Sequence, residues 1–213
     1  MSFRDLRSSD DVVEYVTSLD TRWPQRHEII RHIRRQIASL PVSAPRVVEL
    51  GSGPGILAKY LLSELPHLIY TGIDNSEPLQ TFARSQLASF NGRVELIRAD
   101  LNADDWFELV SGRDHVVVSM QSLHDLGDES HVSRIYGLAK NLIVPGGLFL
   151  NADLVAPPDQ PNPGHPGRLS VPRHLQLLRS HGYERVSCSL EVGEFGCLGG
   201  YVGKYPTVHP RGS

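Results

Sequence analysis

The chain has 213 residues and a formal net charge of −3, so it is long enough for one domain with a substantial core and shows no basic excess that would favour DNA binding. No apolar stretch is long enough to span a membrane, and the N-terminus lacks the apolar run of a secretory signal. Cys188 and Cys197 form neither a disulfide framework nor a C-x-x-C motif, so we expect a cytoplasmic protein with no membrane anchor and no metal site.

Helical and strand patterns alternate along the chain. In the second predicted helix, Ile29, Ile33 and Ile37 recur at helical spacing. The patterns predict helices at residues 10–20, 24–40, 56–65, 77–90, 130–142 and 171–181. They predict strands at residues 46–50, 68–73, 94–99, 115–119, 148–152, 186–192 and 197–204.

This alternation predicts an α/β fold with a doubly wound, mostly parallel sheet of seven strands and helices on both faces. The last two strands have no helix between them, so we expect an antiparallel C-terminal hairpin. We expect residues 1–45 to form N-terminal helices that cover a cofactor or a substrate. Residues 46–204 should form the core, and residues 205–213 a flexible tail.

Three glycines follow the first predicted strand at alternate positions. The sequence Glu49-Leu50-Gly51-Ser52-Gly53-Pro54-Gly55 leads from that strand into a helix, an arrangement typical of nucleotide sites in open α/β sheets. A dinucleotide fingerprint requires G-x-G-x-x-G, and the last position, counted from Gly51, is Ile56. The spacing therefore disfavours a nicotinamide cofactor, while a tight turn without any ligand remains open.

This E-x-G-x-G-x-G stretch resembles motif I of the class I S-adenosyl-L-methionine (SAM)-dependent methyltransferases. The resemblance implies that the turn formed by Gly51, Ser52, Gly53 and Gly55 passes close to the methionine part of SAM. It also implies that Glu49 lies near the ammonium group of SAM. The same family places the seventh strand between the fifth and the sixth, so we expect that order here.

Two aspartates stand at the ends of the next two predicted strands. Asp74, followed by Asn75, can accept hydrogen bonds from both hydroxyls of a ribose. The resemblance places Asp100 beside the adenine amino group, with the backbone of Leu101 against the ring. Each aspartate taken singly is more typical of a turn or a helix cap. Their combination at successive strand ends favours a nucleotide site.

The fourth strand leads into a stretch that resembles the segment of the same family facing the methyl acceptor. Ser119 and Gln121 are predicted to contact the cofactor. His124 is predicted to be the catalytic base, because its ordinary pKa suits proton transfer near neutrality, and Asp125 can orient its imidazole. His124 can instead cap the next helix or line the pocket without chemistry. Its clustering with three further residues fits no recognised metal motif: Asp125, Asp128 and His131.

Further along the chain, Pro145-Gly146-Gly147 is a familiar family signature, in which glycine is expected to end the preceding helix with a left-handed turn. Asn151 and Asp153, near the end of the fifth strand, are predicted to face the acceptor. The proline-dense segment 156–170 excludes a helical lid. We therefore expect the cover to come from the N-terminal helices, near Trp23, Arg26 and His27, although Trp23 alone is equally typical of a core residue.

Together these patterns predict a SAM-dependent methyltransferase that modifies an O or N atom of a small molecule. A protein or RNA acceptor and a SAM-binding partner subunit without activity remain as alternatives. A homo-oligomer is compatible with the sequence. The residues do not identify the acceptor, because acceptor selection lies in variable loops.

Overall fold

The computed structural model describes residues 6, 8–103, 105–110, 113–158, 160 and 164–204. The predicted tail at residues 205–213 and part of the proline-dense segment lie outside these ranges. Among the described helices, none combines the length and the apolar character needed to cross a bilayer.

Helices and strands alternate in the order that the sequence predicts. The helices are α1 (Ser9–Arg22), α2 (Arg26–Ala38), α3 (Ile56–Glu64), α4 (Glu77–Leu87), α5 (Glu129–Leu142) and α6 (Val171–Ser180). The strands are β1 (Arg46–Leu50), β2 (Ile69–Asp74), β3 (Val94–Arg98), β4 (Asp114–Met120), β5 (Ile143–Leu154), β6 (Glu184–Val192) and β7 (Phe195–Tyr201). Short 3₁₀ turns occupy Ala88–Phe90, Trp106–Leu109 and Leu123–Asp125.

The seven strands form one sheet in the order β3-β2-β1-β4-β5-β7-β6. Strands β1 to β5 are parallel, and β7 pairs antiparallel with both β5 and β6. The seventh strand therefore lies between the fifth and the sixth, which confirms the predicted order. The strand order reverses between β1 and β4, and ligands of open α/β sheets bind at such a reversal, beyond the carboxyl ends of the strands.

Apolar side chains cover both faces of the sheet. Val47 packs on one face with α2 and α3, including Ile33 and Leu61, and its neighbour Val48 packs on the other face with α5 and α6. Adjacent strand residues point to opposite faces, so a strand that is apolar at every position must be buried on both sides. This two-sided burial confirms the prediction of helices on both faces.

The expected role of Pro145-Gly146-Gly147 is wrong. Helix α5 ends at Leu142, where Ile143 is already extended and its backbone N–H bonds to the Lys140 carbonyl. The glycines lie inside β5, where the pairing with β4 shifts between Asp114 and Val116. Gly146 has a φ of 86°, and a Cβ on Gly147 would lie 2.6 Å from the His115 carbonyl oxygen. The pair thus makes a bulge in the strand and does not cap the helix.

Candidate active site

A cavity of about 960 Å³ lies beyond the carboxyl ends of the central parallel strands. Helix α1 forms one wall of it through Tyr15 and Leu19, together with Trp23 after α1 and Arg26 at the start of α2. The opposite wall is made by the turns that follow β1, β2, β3 and β4. The cavity is at the upper end of the size range of small-molecule sites, so it can hold a cofactor together with a small second ligand.

The glycine turn after β1 serves two different purposes. Gly51, with a φ of 70°, lies against the turn after β4, and a Cβ there would stand 1.9 Å from Ser122 Oγ. Gly53, with a φ of 51°, has no atom within 4 Å of a built Cβ, and it lines the cavity. Gly51 therefore permits close packing of two loops, whereas Gly53 presents bare backbone to a ligand.

Glu49 and Arg26 bring an acidic and a basic side chain to the cavity. Glu49 is buried and accepts a hydrogen bond of 2.5 Å from the Tyr70 hydroxyl. Burial raises the pKa of Glu49 to about 8, against the opposing effects of Tyr70 and Arg26. Arg26 is only 5% exposed, and its Nη1 donates a hydrogen bond to Gln121 Oε1. An acidic and a basic group at one wall complement the ammonium and carboxylate of an amino acid.

The two strand-end aspartates both line the cavity and both stabilise their own turns. Asp74 accepts hydrogen bonds of 2.8 Å from the backbone N–H groups of Gly53 and Ser76. Burial raises the pKa of Asp74. Asp100 accepts a 2.9 Å hydrogen bond from the Asn102 N–H. The turn interpretation and the ligand interpretation are therefore compatible, because each carboxylate has further lone pairs to offer.

His124 is held by a carboxylate from the neighbouring strand. Its Nδ1 lies 2.6 Å from Asp153 Oδ1, and its backbone N–H donates a 3.0 Å hydrogen bond to Asp153 Oδ2. The other ring nitrogen, Nε2, lies 3.3 Å from Asp125 Oδ2. Burial by itself lowers the pKa of His124, but the charge and hydrogen bond of Asp153, with the charge of Asp125, raise it above its ordinary value. The closer carboxylate, at Nδ1, is Asp153 and not Asp125.

Buried polar side chains continue behind this pair. Asn151 Nδ2 donates a 3.1 Å hydrogen bond to the Tyr136 hydroxyl, which lies 2.7 Å from His174 Nδ1. Burial lowers the pKa of His174 to about 4, so this imidazole is neutral near pH 7 and its Nδ1 can accept a hydrogen bond from the Tyr136 hydroxyl. Asn151 and Asp153 are buried and do not line the cavity, so the prediction that they face an acceptor is wrong.

The cavity brings together most of the residues predicted for the site. Those that line it are Glu49, Gly51, Ser52, Gly53, Asp74, Asn75, Asp100, Leu101, Gln121, His124 and Asp125. Two do not. Ser119 is fully buried and donates a hydrogen bond to the Leu50 carbonyl, and Gly55 packs against Ala83 of α4.

Of the N-terminal candidates, one lines the cavity and another does not, and residues clustered after His124 form a helix cap. Trp23 lines the cavity and also packs edge-on against Phe195 at 5.6 Å, so it serves both predicted roles. His27 is exposed and lies 3.5 Å from Asp20, away from the cavity. His131 pairs with Asp128 in the cap of α5. Within the described ranges, no three His, Cys, Asp or Glu side chains are grouped to hold a metal ion.

Comparison with known proteins shows which proteins share this α/β fold and its first strands. A family model described as a methyltransferase domain matches residues 47–147. Carboxy-S-adenosyl-L-methionine synthase from Nautilia profundicola is 29% identical over 110 residues, which are 51% of this chain and 44% of that protein. Over residues 47–147, somewhat less than half of its length, the chain is therefore similar to the SAM-dependent methyltransferases.

Solved structures share the fold over almost the whole chain. An O-methyltransferase family protein from Burkholderia thailandensis superposes with a TM-score of 0.72 and 21% identity, over 95% of this chain and 62% of that one. Human N-acetylserotonin methyltransferase, solved with SAM, gives a TM-score of 0.67 and 18% identity, over 93% and 57% of the two chains. The chain therefore spans less than two thirds of the length of each of these proteins.

The residues of the cavity fit SAM, the cofactor of this class. Gly53 leaves open space where a ligand can lie on the backbone. Glu49 and Arg26 supply an acidic and a basic side chain that suit the amino acid end, and Asp74 supplies carboxylate oxygens that can accept hydrogen bonds from a ribose. The sequence predicts Arg26 only as part of the N-terminal region that covers the site. Its place beside Gln121, 95 residues away, depends on tertiary structure.

Proposed function

We propose that this chain transfers a methyl group from SAM to an oxygen or nitrogen atom of a small-molecule acceptor, with His124 as the base. The observation that carries the proposal is the buried His124–Asp153 pair at the wall of the cavity that suits SAM. A base of this kind is required only when the acceptor atom must lose a proton, as hydroxyl groups and protonated amines must.

The two carboxylates near His124 have different roles in this proposal. Asp153 accepts a hydrogen bond from Nδ1–H, so the lone pair of the neutral imidazole is at Nε2. His124 Nε2 would take the proton that the acceptor atom loses when it is methylated. Asp125, 3.3 Å from Nε2, stabilises the imidazolium that forms. When bound, SAM supplies a methyl group already activated on a positively charged sulfur, so positioning contributes most of the remaining catalysis.

Other residues of the cavity would hold the cofactor. Glu49 and Arg26 would bind the ammonium and carboxylate of its methionine part, beside the bare backbone of Gly53. Asp74 would accept hydrogen bonds from the ribose hydroxyls, and Asp100, with the backbone of Leu101, would bind the adenine. These assignments leave the region around His124 for the acceptor.

The walls of the cavity favour a small acceptor over a protein or an RNA. The N-terminal helices and the turn between them form a wall of the cavity, which includes Tyr15 and Trp23. The total volume of about 960 Å³ leaves room beside SAM for a compact molecule. A macromolecular acceptor would need an open groove leading to His124, and this side chain is 7% exposed.

Calorimetry and a transfer assay test the proposal. Wild-type protein should bind SAM and S-adenosylhomocysteine but not NAD(P), and should label at least one member of a panel of phenols, alcohols and amines from methyl-labelled SAM. His124→Ala should retain S-adenosylhomocysteine binding and lose transfer by on the order of 100-fold or more. His27→Ala, which removes an exposed histidine outside the cavity, should leave both unchanged.

Each other outcome has a defined meaning. Binding of NAD(P) without SAM would overturn the assignment of the cavity. SAM binding with no labelled acceptor would favour the partner-subunit alternative. Mass spectrometry of the spent cofactor should show S-adenosylhomocysteine, whereas a carboxylated SAM would indicate the activity named for the Nautilia profundicola relative.

A further inference from the structure

Arg168 is a cation of the cavity that has no role in the assignments above. Arg168 lines the same cavity as His124, on the segment that leads from β5 to α6. A Cβ on its neighbour Gly167 would lie 2.7 Å from the His124 carbonyl oxygen and 2.8 Å from that of Gly127. The segment therefore packs directly on the turn that carries His124, and it brings Arg168 to the acceptor side of the cavity.

Backbone contacts fix Arg168 in this position. Its N–H donates a 2.9 Å hydrogen bond to the His165 carbonyl, which closes a turn. The next residue, Leu169, accepts a 3.0 Å hydrogen bond from the Ala156 N–H, and its side chain packs in the core. The backbone on both sides of Arg168 is thus held where this residue lines the cavity.

The charge of Arg168 is poorly matched by the protein. Its side chain is 17% exposed, and its carboxylate contact within the described residues is Glu194, 3.7 Å from Nη1 and 60% exposed. Nε is buried and has no hydrogen-bond partner in the described part of the chain. An exposed pair at this distance contributes little, so a largely buried guanidinium retains most of its capacity to bind an anion.

Arg168 also acts electrostatically on the proposed base. Burial and, more weakly, the charge of Arg168 lower the pKa of His124, against the raising effect of Asp153 and Asp125. His124 and Arg168 therefore face the same part of the cavity. A molecule bound there would meet a proton acceptor and a guanidinium together.

We infer that the methyl acceptor carries a carboxylate, which Arg168 binds while His124 faces the atom to be methylated. The planar guanidinium presents paired N–H donors that match the two oxygens of a carboxylate, and it favours an acid over the neutral amide of the same shape. This inference rests on the proposed function, because it takes the volume beside His124 as the acceptor site. It adds the substrate class and one specificity-determining residue.

Paired acids and amides test the inference without knowledge of the natural acceptor. Calorimetry measures the binding of each acid and of its amide to protein saturated with S-adenosylhomocysteine. The acids are acetate, glycolate, benzoate, salicylate and cinnamate. The acids that bind should do so about tenfold or more tightly than their amides, as expected for a charge-assisted hydrogen bond. Arg168→Gln should remove this preference, and Arg168→Lys should restore part of it.

Two controls keep the result interpretable. Arg179→Gln removes an exposed arginine in the last turn of α6 and should keep the preference for acids. Arg168→Gln should still bind S-adenosylhomocysteine like wild type, which shows that it folds. The inference is overturned when wild type shows no preference for any acid, or when Arg168→Gln retains it. Failure to bind S-adenosylhomocysteine at all would instead contradict the proposed function.

Discussion

At the scale of single residues, the site depends on a contact between side chains 29 positions apart. Asp153 holds His124 through both its imidazole and its backbone N–H, so it fixes the ring orientation and the tautomer together. Asp125, the adjacent carboxylate, reaches only the outer nitrogen. The pKa of His124 therefore depends more on Asp153 than on Asp125.

Removing the charge of Asp153 should lower the pKa of His124. In wild type the imidazole should titrate above its ordinary pKa, and methyl transfer should rise with pH through that midpoint, because only the neutral form can take a proton. Asp153→Asn should shift the midpoint downward, and Asp125→Asn should shift it less. Proton NMR titration, with the His124 signal assigned by its loss in His124→Asn, measures both shifts. An unchanged midpoint in Asp153→Asn would contradict this account.

At the scale of elements, the turn between β1 and α3 separates a packing role from a binding role. Gly51 and Gly53 both have positive φ values, but they meet different surroundings. Gly51 is pressed against Ser122, whereas Gly53 faces open space. Two substitutions of the same kind should therefore have different effects.

Gly51→Ala should destabilise the fold, and Gly53→Ala should mainly weaken cofactor binding. The new Cβ at position 51 would stand 1.9 Å from Ser122 Oγ, which forces one of the loops to move. At position 53 the folding cost is only that of a left-handed alanine, about 1–2 kcal/mol. The methyl group would project into the cavity and should raise the Kd for S-adenosylhomocysteine about tenfold.

Gly92→Ala is the matched control for this pair. Gly92 also has a positive φ and open space around a built Cβ, but it lies outside the cavity. It should lose the same thermal stability as Gly53→Ala and keep wild-type affinity. Equal losses of affinity in Gly92→Ala and Gly53→Ala would show that strain, and not contact with the ligand, controls binding.

Elements and strand ends could be predicted because they follow from local patterns. Parallel strands place their carboxyl ends at one edge of the sheet, so Asp74 and Asp100 were found from position alone. Ser119 was misassigned because the burial of its side chain between strands depends on packing. The glycines after Pro145 were also misassigned, since the same residues end helices and make strand bulges.

The contacts that specify chemistry could not be read from the chain. Asp153 meets His124 only because β5 lies beside β4 with Ala152 opposite Met120. Arg26 meets Gln121 because α2 packs over the end of the sheet. Arg168 reaches the cavity because Gly167 permits close contact with the turn of His124. Each of these three contacts joins segments that are far apart in the sequence, so the spacing of residues along the chain does not predict it.

At the scale of the whole molecule, buried Glu49 couples stability to pH. Its pKa is about 8 in the folded protein and near 4.5 in an unfolded chain. Between these values the unfolded chain releases the proton while the folded protein keeps it. The free energy of unfolding should therefore fall as pH rises through this window, and the loss should be complete above about pH 8.

Glu49→Gln should remove this contribution to the pH dependence. Glutamine retains an acceptor for the Tyr70 hydroxyl and has no proton to release. The variant should therefore be more stable than wild type at pH 8, with a difference that shrinks towards pH 5. Thermal melting of the ligand-free protein at pH 5, 6.5 and 8 measures it, with exposed Glu95→Gln as the control for the loss of one negative charge. A difference that stays constant with pH would refute the assignment to Glu49.

The edge-on contact of Trp23 with Phe195 has a practical consequence, because the sequence contains two tryptophans in all. Trp106 is fully buried in the core, while Trp23 lines the cavity. Indole emission depends on the immediate surroundings of the ring, so a spectral change on adding a ligand arises at Trp23 unless the core itself rearranges. The protein thus contains an intrinsic optical probe at the wall of its own binding site.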